Sequence, residues 1–278
     1  MKKYIKIGLL LLAFACQSSD SERFEYTYNN AIVADFLSAE ATFSDFFRLT
    51  MKATTNPDFL TGTLSTIDSA LVSKQGNQYI FSYDTNQHCP DGSIRFGTFS
   101  IETDALMTDS ASTATINLNN LIINNKTING IVIIKNKTGG LKPVFSMNIS
   151  DGMIQLNDAY NSVIKYSLNF SLRWKKGLDT PTFHSDDIFY LTGTSEGKAH
   201  QFDRFTSTVT DTIAFSHSCR YFRGGLTLVK MPDFEVNEAK IQYNEIAGCS
   251  STVEVTYKGT TPSGDKVTSK PFNFNIGL

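Results

Sequence analysis

The stretch VIKYSLNFSLRW, residues 163–174, decides the fold class. Its residues alternate between apolar and polar without a break, and the apolar set is Ile164, Tyr166, Leu168, Phe170, Leu172 and Trp174. A period of two is typical of an antiparallel strand that faces a core on one side and water on the other. The stretch therefore predicts a half-buried strand near the middle of a sheet.

The same alternation recurs through most of the chain. It is found in GTFSIE (97–102), TATINL (113–118), PVFSMNI (143–149) and STVEVTY (251–257). Asn-, Asp- and Gly-rich turns separate these runs at intervals of about ten residues, a spacing typical of sandwiches and barrels. No helical pattern intervenes between them, which disfavours a parallel α/β sheet. We expect an all-β domain: a large antiparallel meander sheet curled into a sandwich or a partly open barrel.

One segment, residues 31–54, has helical periodicity. Its apolar residues lie three or four positions apart, at Ile32, Phe36, Ala39, Phe43, Phe47 and Met51, which predicts an amphipathic helix. Asn29 or Asn30 is a suitable N-cap and Asn56-Pro57 a suitable end. The opposite face is not rich in Lys and Arg, as a membrane-surface helix would be; its charged residues are Asp35, Glu40, Asp45 and Arg48. We expect this helix to pack on the sheet through its aromatic face.

The N-terminus is typical of an exported protein. Three lysines precede a short apolar run, and the segment ends in Ala13-Phe14-Ala15-Cys16. The run is too short to span a bilayer and fits a signal peptide. The last four residues resemble the lipobox of bacterial lipoproteins, which implies cleavage before Cys16 and its lipidation. An ordinary secretory signal, with Cys16 inside it or left as a free thiol, is the alternative.

These observations predict the domain organisation and the location. Residues 1–15 form a lipoprotein signal peptide, residues 16–30 a lipidated flexible tether, and residues 31–278 a single β-rich domain that begins with the helix at about 31–54. Several acyl chains would hold the mature protein on a membrane. We expect the outer membrane, at the periplasmic face or, slightly favoured, the cell surface. The net charge is −2 without a basic patch, which argues against a nucleic-acid partner; the sequence does not predict an oligomeric state.

Three cysteines remain for the domain: Cys89, Cys219 and Cys249. In an oxidising compartment at most one disulfide can form among them, and the sequence leaves all three pairings open. We favour Cys219–Cys249, because both follow strand-like runs and enclose the shortest loop. Cys89 is then unpaired, or it is an alternative partner.

The chain carries no motif of a known catalytic or cofactor site. It has no nucleophile elbow, zinc-protease helix, phosphate loop or dinucleotide fingerprint. His184 lies near Asp187, so Asp187 could orient His184 as a general base, but a solvated loop before a strand explains the same residues. No cysteine or histidine spacing indicates zinc, and Asp84, Asp91 and Asp104 match no calcium loop. We therefore expect no enzyme activity, cofactor or metal.

Five stretches resemble a widespread group of uncharacterised lipoproteins of Bacteroidetes. The resemblance covers about residues 75–276, departs from the group at Arg223-Gly224-Gly225, and rests on CPDGSIRFGTFSI, INLNNLIINNKTINGIVIIKN, FYLTGTSEG, SCRYFRGGLTLVK and AGCSSTVEVTY. It implies a shared β fold and brings no activity with it. Ser69, Ser110 and Thr212 also resemble the sites at which these bacteria O-glycosylate exported proteins.

The functional expectation is a non-enzymatic envelope lipoprotein that binds a partner protein or a glycan, or that supports the surface structurally. One alternative is a half-barrel carrier of lipids or other apolar ligands, which needs a deep apolar cavity. Another is an envelope hydrolase that uses His184 and Asp187, which needs a nucleophile or a metal within reach of His184.

Overall fold

The computed structural model describes residues 20–63, 65–103, 105–138, 142–244, 249–260 and 263–276, with side chains from residue 29 onward. Two α-helices and one 3-10 helix, His184–Asp186, accompany a single sheet of seventeen strands. The helices are α1 (Asp20–Thr54) and α2 (Pro57–Thr61). The strands are β1 (Thr66–Ile67), β2 (Ala70–Gln75), β3 (Gln78–His88), β4 (Ile94–Glu102), β5 (Thr113–Ile123), β6 (Lys126–Asn136), β7 (Val144–Gln155), β8 (Val163–Lys176), β9 (Ile188–Lys198), β10 (Arg204–Asp211), β11 (Ile213–Ser216), β12 (Cys219–Arg223), β13 (Leu226–Lys230), β14 (Glu238–Tyr243), β15 (Thr252–Thr260), β16 (Lys266–Thr268) and β17 (Phe272–Asn275).

The sheet is an antiparallel meander, as predicted. Consecutive strands pair from β1 to β9. β9 then pairs with both β10 and β11, which pair in turn with β13 and β12. The ladder continues through β14 to β15, which pairs with β16 and β17. All seventeen described strands belong to one sheet, which is not closed into a barrel.

Strand β8 confirms the period of two. It pairs with β7 and β9 over most of its length, for example Leu168 with Ile149 on one side and with Ser195 on the other. All six apolar residues of its alternating pattern are buried, while Lys165, Asn169 and Arg173 are exposed. The pleat thus directs one side of the strand into the core.

The core lies between the sheet and α1. Phe47 packs edge-on against Phe145, Phe189 and Phe215 from three different strands, and Phe43 stacks on Tyr166 of β8. Such aromatic pairs add to the free energy gained by burial alone. The expected contact between the aromatic face of α1 and the sheet is therefore present.

The polar face of α1 is also buried, which the sequence did not predict. Asp35, Glu40, Asp45 and Arg48 are all less than 10% exposed. Between residues 29 and 54 only Ala34 is exposed. The curled sheet therefore surrounds the helix instead of supporting it from one side.

The predicted helix start near residue 31 and the part of the predicted tether from residue 20 to residue 30 need correction, because α1 begins at Asp20. Residues 20–30 contain no proline or glycine to interrupt a helix. The two asparagines considered as caps lie inside the helix and bond to the sheet region. The Asn29 side chain donates to the Val236 carbonyl at 2.6 Å, and the Tyr257 hydroxyl donates to Asn30 Oδ1 at 2.6 Å.

Within the described part of the chain, no helix combines the length and the apolar character needed to cross a membrane. The predicted signal peptide at residues 1–15 and the lipidation site Cys16 lie outside the described residues.

Candidate ligand-binding cleft

A cleft of about 740 Å³ lies between two loops at one end of the sheet. One loop joins β7 to β8 and the other joins β9 to β10. The lining residues are Asp158, Ala159, Tyr160, Asn161, Ser162, Val163, His200, Gln201 and Phe202. The cleft has the size of sites that take small molecules.

Two exposed aromatic side chains, one from each loop, distinguish this cleft. Tyr160 is 87% exposed and Phe202 is 79% exposed. Phe202 also has φ = +72°, a left-handed backbone conformation that is uncommon for bulky residues and costs free energy. The fold therefore holds an aromatic ring in solvent by means of a strained backbone.

Hydrogen bonds fix the shape of both loops. In the β7–β8 loop, Asp158 Oδ1 accepts from the backbone N–H groups of Tyr160 and Ser162 at 3.1 and 2.9 Å. The bonds from Ser162 are the main reason that the pKa of Asp158 lies below its ordinary value. In the β9–β10 loop, the Phe202 N–H donates to the Ala199 carbonyl at 2.8 Å. The two aromatic rings thus project from ordered turns.

The β9–β10 loop is also fastened to the buried helix. Asp35 Oδ2 of α1 accepts from the His200 N–H at 2.7 Å and lies 2.6 Å from His200 Nδ1. Burial raises the pKa of Asp35, although the bonds and the charge of His200 act in the opposite direction. The position of Phe202, two residues further on, therefore depends on α1.

The structure brings His184 and Asp187 together, as the sequence suggested. His184 Nδ1 lies 2.9 Å from Asp187 Oδ2. The hydroxyl group nearest to the other side of the ring is Thr55 Oγ1, which lies 3.4 Å from His184 Nε2. That hydroxyl donates to the Met51 carbonyl at 2.6 Å. Because this proton is already engaged, His184 does not activate the Thr55 hydroxyl as a nucleophile in this structure.

A second histidine, His217, joins this pair from the turn between β11 and β12. Its Nδ1 lies 3.2 Å from Asp187 Oδ2, and suitable ligand atoms of the three residues lie within 4.8 Å of one another. His217 was not singled out from the sequence, because it belongs to a hairpin that is distant from His184 along the chain.

The remaining predicted residues are placed as follows. Cys219 and Cys249 form the favoured disulfide, with Cα atoms 5.2 Å apart, and Cys89 is a buried free thiol. The three residues proposed for O-glycosylation are exposed: Ser69, Ser110 and Thr212. Asp91, considered as a calcium ligand, instead accepts from Ser93 and pairs with Arg95.

Tyr160 and Phe202 were not singled out from the sequence. Each is the one aromatic residue in a short polar run, NDAYNS (157–162) and HQFDR (200–204). An aromatic residue in a turn between alternating strands breaks the expected polar composition of loops, and this is the signal that could have identified them.

Comparisons with models of known protein families, with curated proteins and with solved structures find no match to this chain.

Proposed function

We propose that the protein is an exported, lipid-anchored protein of the outer membrane that binds a ligand without transforming it. The cleft with two solvent-exposed aromatic rings, one of them on a strained backbone, carries the proposal of ligand binding, and the N-terminal segment that ends at Cys16 supports export and anchoring. Strain of this kind persists where the surrounding structure enforces it, and it is concentrated at functional sites.

The lining of the cleft favours a glycan over a protein partner. Aromatic rings can stack against the apolar face of a sugar ring, and the amide groups of Asn161 and Gln201 offer both donors and acceptors to its hydroxyl groups. Ligand sites commonly combine apolar contact with a few polar groups that fix orientation. A glycan of the bacterial envelope meets both requirements.

The carrier alternative has less support. A carrier needs an apolar cavity behind the sheet, but the buried side of the sheet is packed with the phenylalanines of α1. Of the described clefts of several hundred Å³, one is lined by two loops, and the other two are lined mainly by residues of β7 to β10 that include Ser, Thr, Glu and Lys side chains. The hydrolase alternative would have to use a metal ion beside His184, because the Thr55 hydroxyl is bonded to a backbone carbonyl and is not a free nucleophile.

Binding can be tested on an array of bacterial envelope polysaccharides, followed by calorimetry with any glycan that binds. We expect the Tyr160→Ala and Phe202→Ala variants each to weaken binding roughly 5-fold, since an aromatic contact contributes on the order of 1 kcal/mol. Phe183→Ala is the matched control, because Phe183 is also an exposed loop phenylalanine (61%) and lies outside the cleft. Binding that survives both cleft variants, or copurified lipid in place of any glycan, would contradict the proposal.

Anchoring can be tested separately with labelled palmitate in cells. We expect the full-length chain to incorporate label and to fractionate with membranes, and the Cys16→Ser variant to lose both properties. Membrane association of Cys16→Ser equal to that of the unmodified sequence would show that Cys16 is not the anchor.

A further inference from the structure

Three side chains with metal-binding chemistry converge beside the C-terminal end of α1. His184 and Asp187 belong to the connection between β8 and β9, and His217 belongs to the turn between β11 and β12. The Nδ1 atoms of the two histidines lie 2.9 and 3.2 Å from the same carboxylate oxygen, Asp187 Oδ2. Imidazole nitrogen and carboxylate oxygen are common ligands of zinc and of related divalent ions.

The other carboxylate oxygen of Asp187 is held by an outer partner. Trp174 Nε1 donates to Asp187 Oδ1 at 3.0 Å. Gly177 leaves the space for this arrangement, because its φ is +90° and a Cβ atom there would lie 2.1 Å from Oδ1. Such an outer hydrogen bond orients a ligand, so that Oδ2 remains directed at the two histidines.

The burial of the His217 ring is not explained by hydrogen bonds alone. The side chain is 1% exposed, and neither ring nitrogen has a hydrogen bond of good geometry, although Nδ1 lies 3.2 Å from Asp187 Oδ2 and the ring interacts with the backbone of Arg48. Buried polar groups without partners are rare and costly. A cation at the centre of the three residues would give the Nδ1 atom of His217 a partner.

The charges around the cluster are compatible with a cation. The two nearest basic side chains on α1, Arg48 and Lys52, are each paired with an aspartate, Asp45 and Asp68 respectively. Asp187 supplies one negative charge from within the cluster. Neither Arg48 nor Lys52 therefore leaves an unpaired positive charge that would repel a cation at the cluster.

We propose that His184, Asp187 and His217 bind one divalent transition-metal ion of the zinc type. Three protein ligands leave a fourth tetrahedral position for water or for an external donor. The position opens on the side of His184, the only one of the three residues that is not fully buried. The ion links the β8–β9 connection to the β11–β12 turn at the end of α1.

The test is a titration of the purified full chain with Zn²⁺, followed by calorimetry, with Co²⁺ as a spectroscopic probe of coordination geometry. We expect one ion per chain and a visible Co²⁺ spectrum typical of tetrahedral coordination. His184→Ala and Asp187→Asn should abolish both signals. Trp174→Phe should weaken affinity about 10- to 100-fold, since it removes only the outer partner. His88→Ala is the control, because His88 is exposed and lies outside the cluster.

A wild-type chain that binds no Zn²⁺ would overturn the proposal, as would binding of equal affinity in His184→Ala. His184 is partly exposed, so its replacement is expected to leave a folded chain even where replacement of the buried His217 does not. The outcome is independent of the cleft, whose residues are not shared with this cluster.

Discussion

Replacing Glu40 with Gln should change how the stability of the protein depends on pH. Glu40 is 1% exposed inside the curled sheet. Its Oε2 accepts a hydrogen bond from the Tyr243 hydroxyl at 2.5 Å, while Oε1 has no hydrogen-bond partner. Burial raises the pKa of Glu40 from 4.5 to about 7, against the lowering effect of the bond from Tyr243.

The direction of the effect follows from proton linkage. Between pH 4.5 and about 7 the folded chain holds a proton on Glu40 that the unfolded chain has released. The free energy of unfolding therefore falls as the pH rises through this interval. At about 1.4 kcal/mol per pH unit, the loss is on the order of 3 kcal/mol. A glutamine side chain at this position would not titrate, and its amide oxygen can still accept from Tyr243.

The assay is urea unfolding of the wild type and of Glu40→Gln at a series of pH values from about 4 to 8. The stability of the variant relative to the wild type should rise by about 3 kcal/mol across the interval. Taking the difference between the two proteins removes other titrations, such as that of His217, whose pKa is lowered by burial. Glu102→Gln is the control at an exposed glutamate. A difference between wild type and Glu40→Gln that does not vary with pH would refute the reasoning.

Two further predictions concern interactions that hold the fold together. Arg95 is buried and donates to Asp45, Asp91 and Tyr83, so Arg95→Met should cost about 3–5 kcal/mol in urea unfolding, because it leaves carboxylates without their partner. A loss no larger than that of the exposed Arg204→Met control would contradict this. The Cys219→Ser/Cys249→Ser double variant should lose about 2–4 kcal/mol, measured in the same way. Unchanged stability in this variant, compared with Cys89→Ser, would show that the disulfide contributes nothing.

The sheet could be predicted from the sequence, because the alternation of apolar and polar residues that indicates a strand lies within the strand itself. The longer strands of the meander carry a period of two over much of their length, and β8 shows it from Val163 to Trp174. The surroundings of α1 could not be predicted in the same way. A periodic pattern separates apolar from polar positions but does not say what covers the polar ones. The partner of Glu40 is Tyr243, which is 203 residues away, and no local pattern connects the two.

The same distinction applies to the metal-binding cluster. His184 and Asp187 are three residues apart, so their contact could be suggested from the sequence. His217 reaches them only because β11 pairs with β9, which places the end of β11 beside Ile188. The sequence expectation that there is no metal site depended on the spacing of histidines along the chain. Pairing between strands can assemble a site that such spacing does not reveal.

The position of α1 limits where a ligand can bind. Nine of its larger apolar side chains are at most 2% exposed: Ile32, Val33, Phe36, Leu37, Phe43, Phe46, Phe47, Leu49 and Met51. At roughly 2 kcal/mol each, exposing them would cost on the order of 20 kcal/mol, more than the roughly 5–15 kcal/mol that stabilises a typical domain. The helix therefore cannot leave the sheet to admit a ligand while the fold persists. Binding must use the outer surface, and the bond from His200 to Asp35 lets the fixed helix hold the Phe202 loop in place from inside.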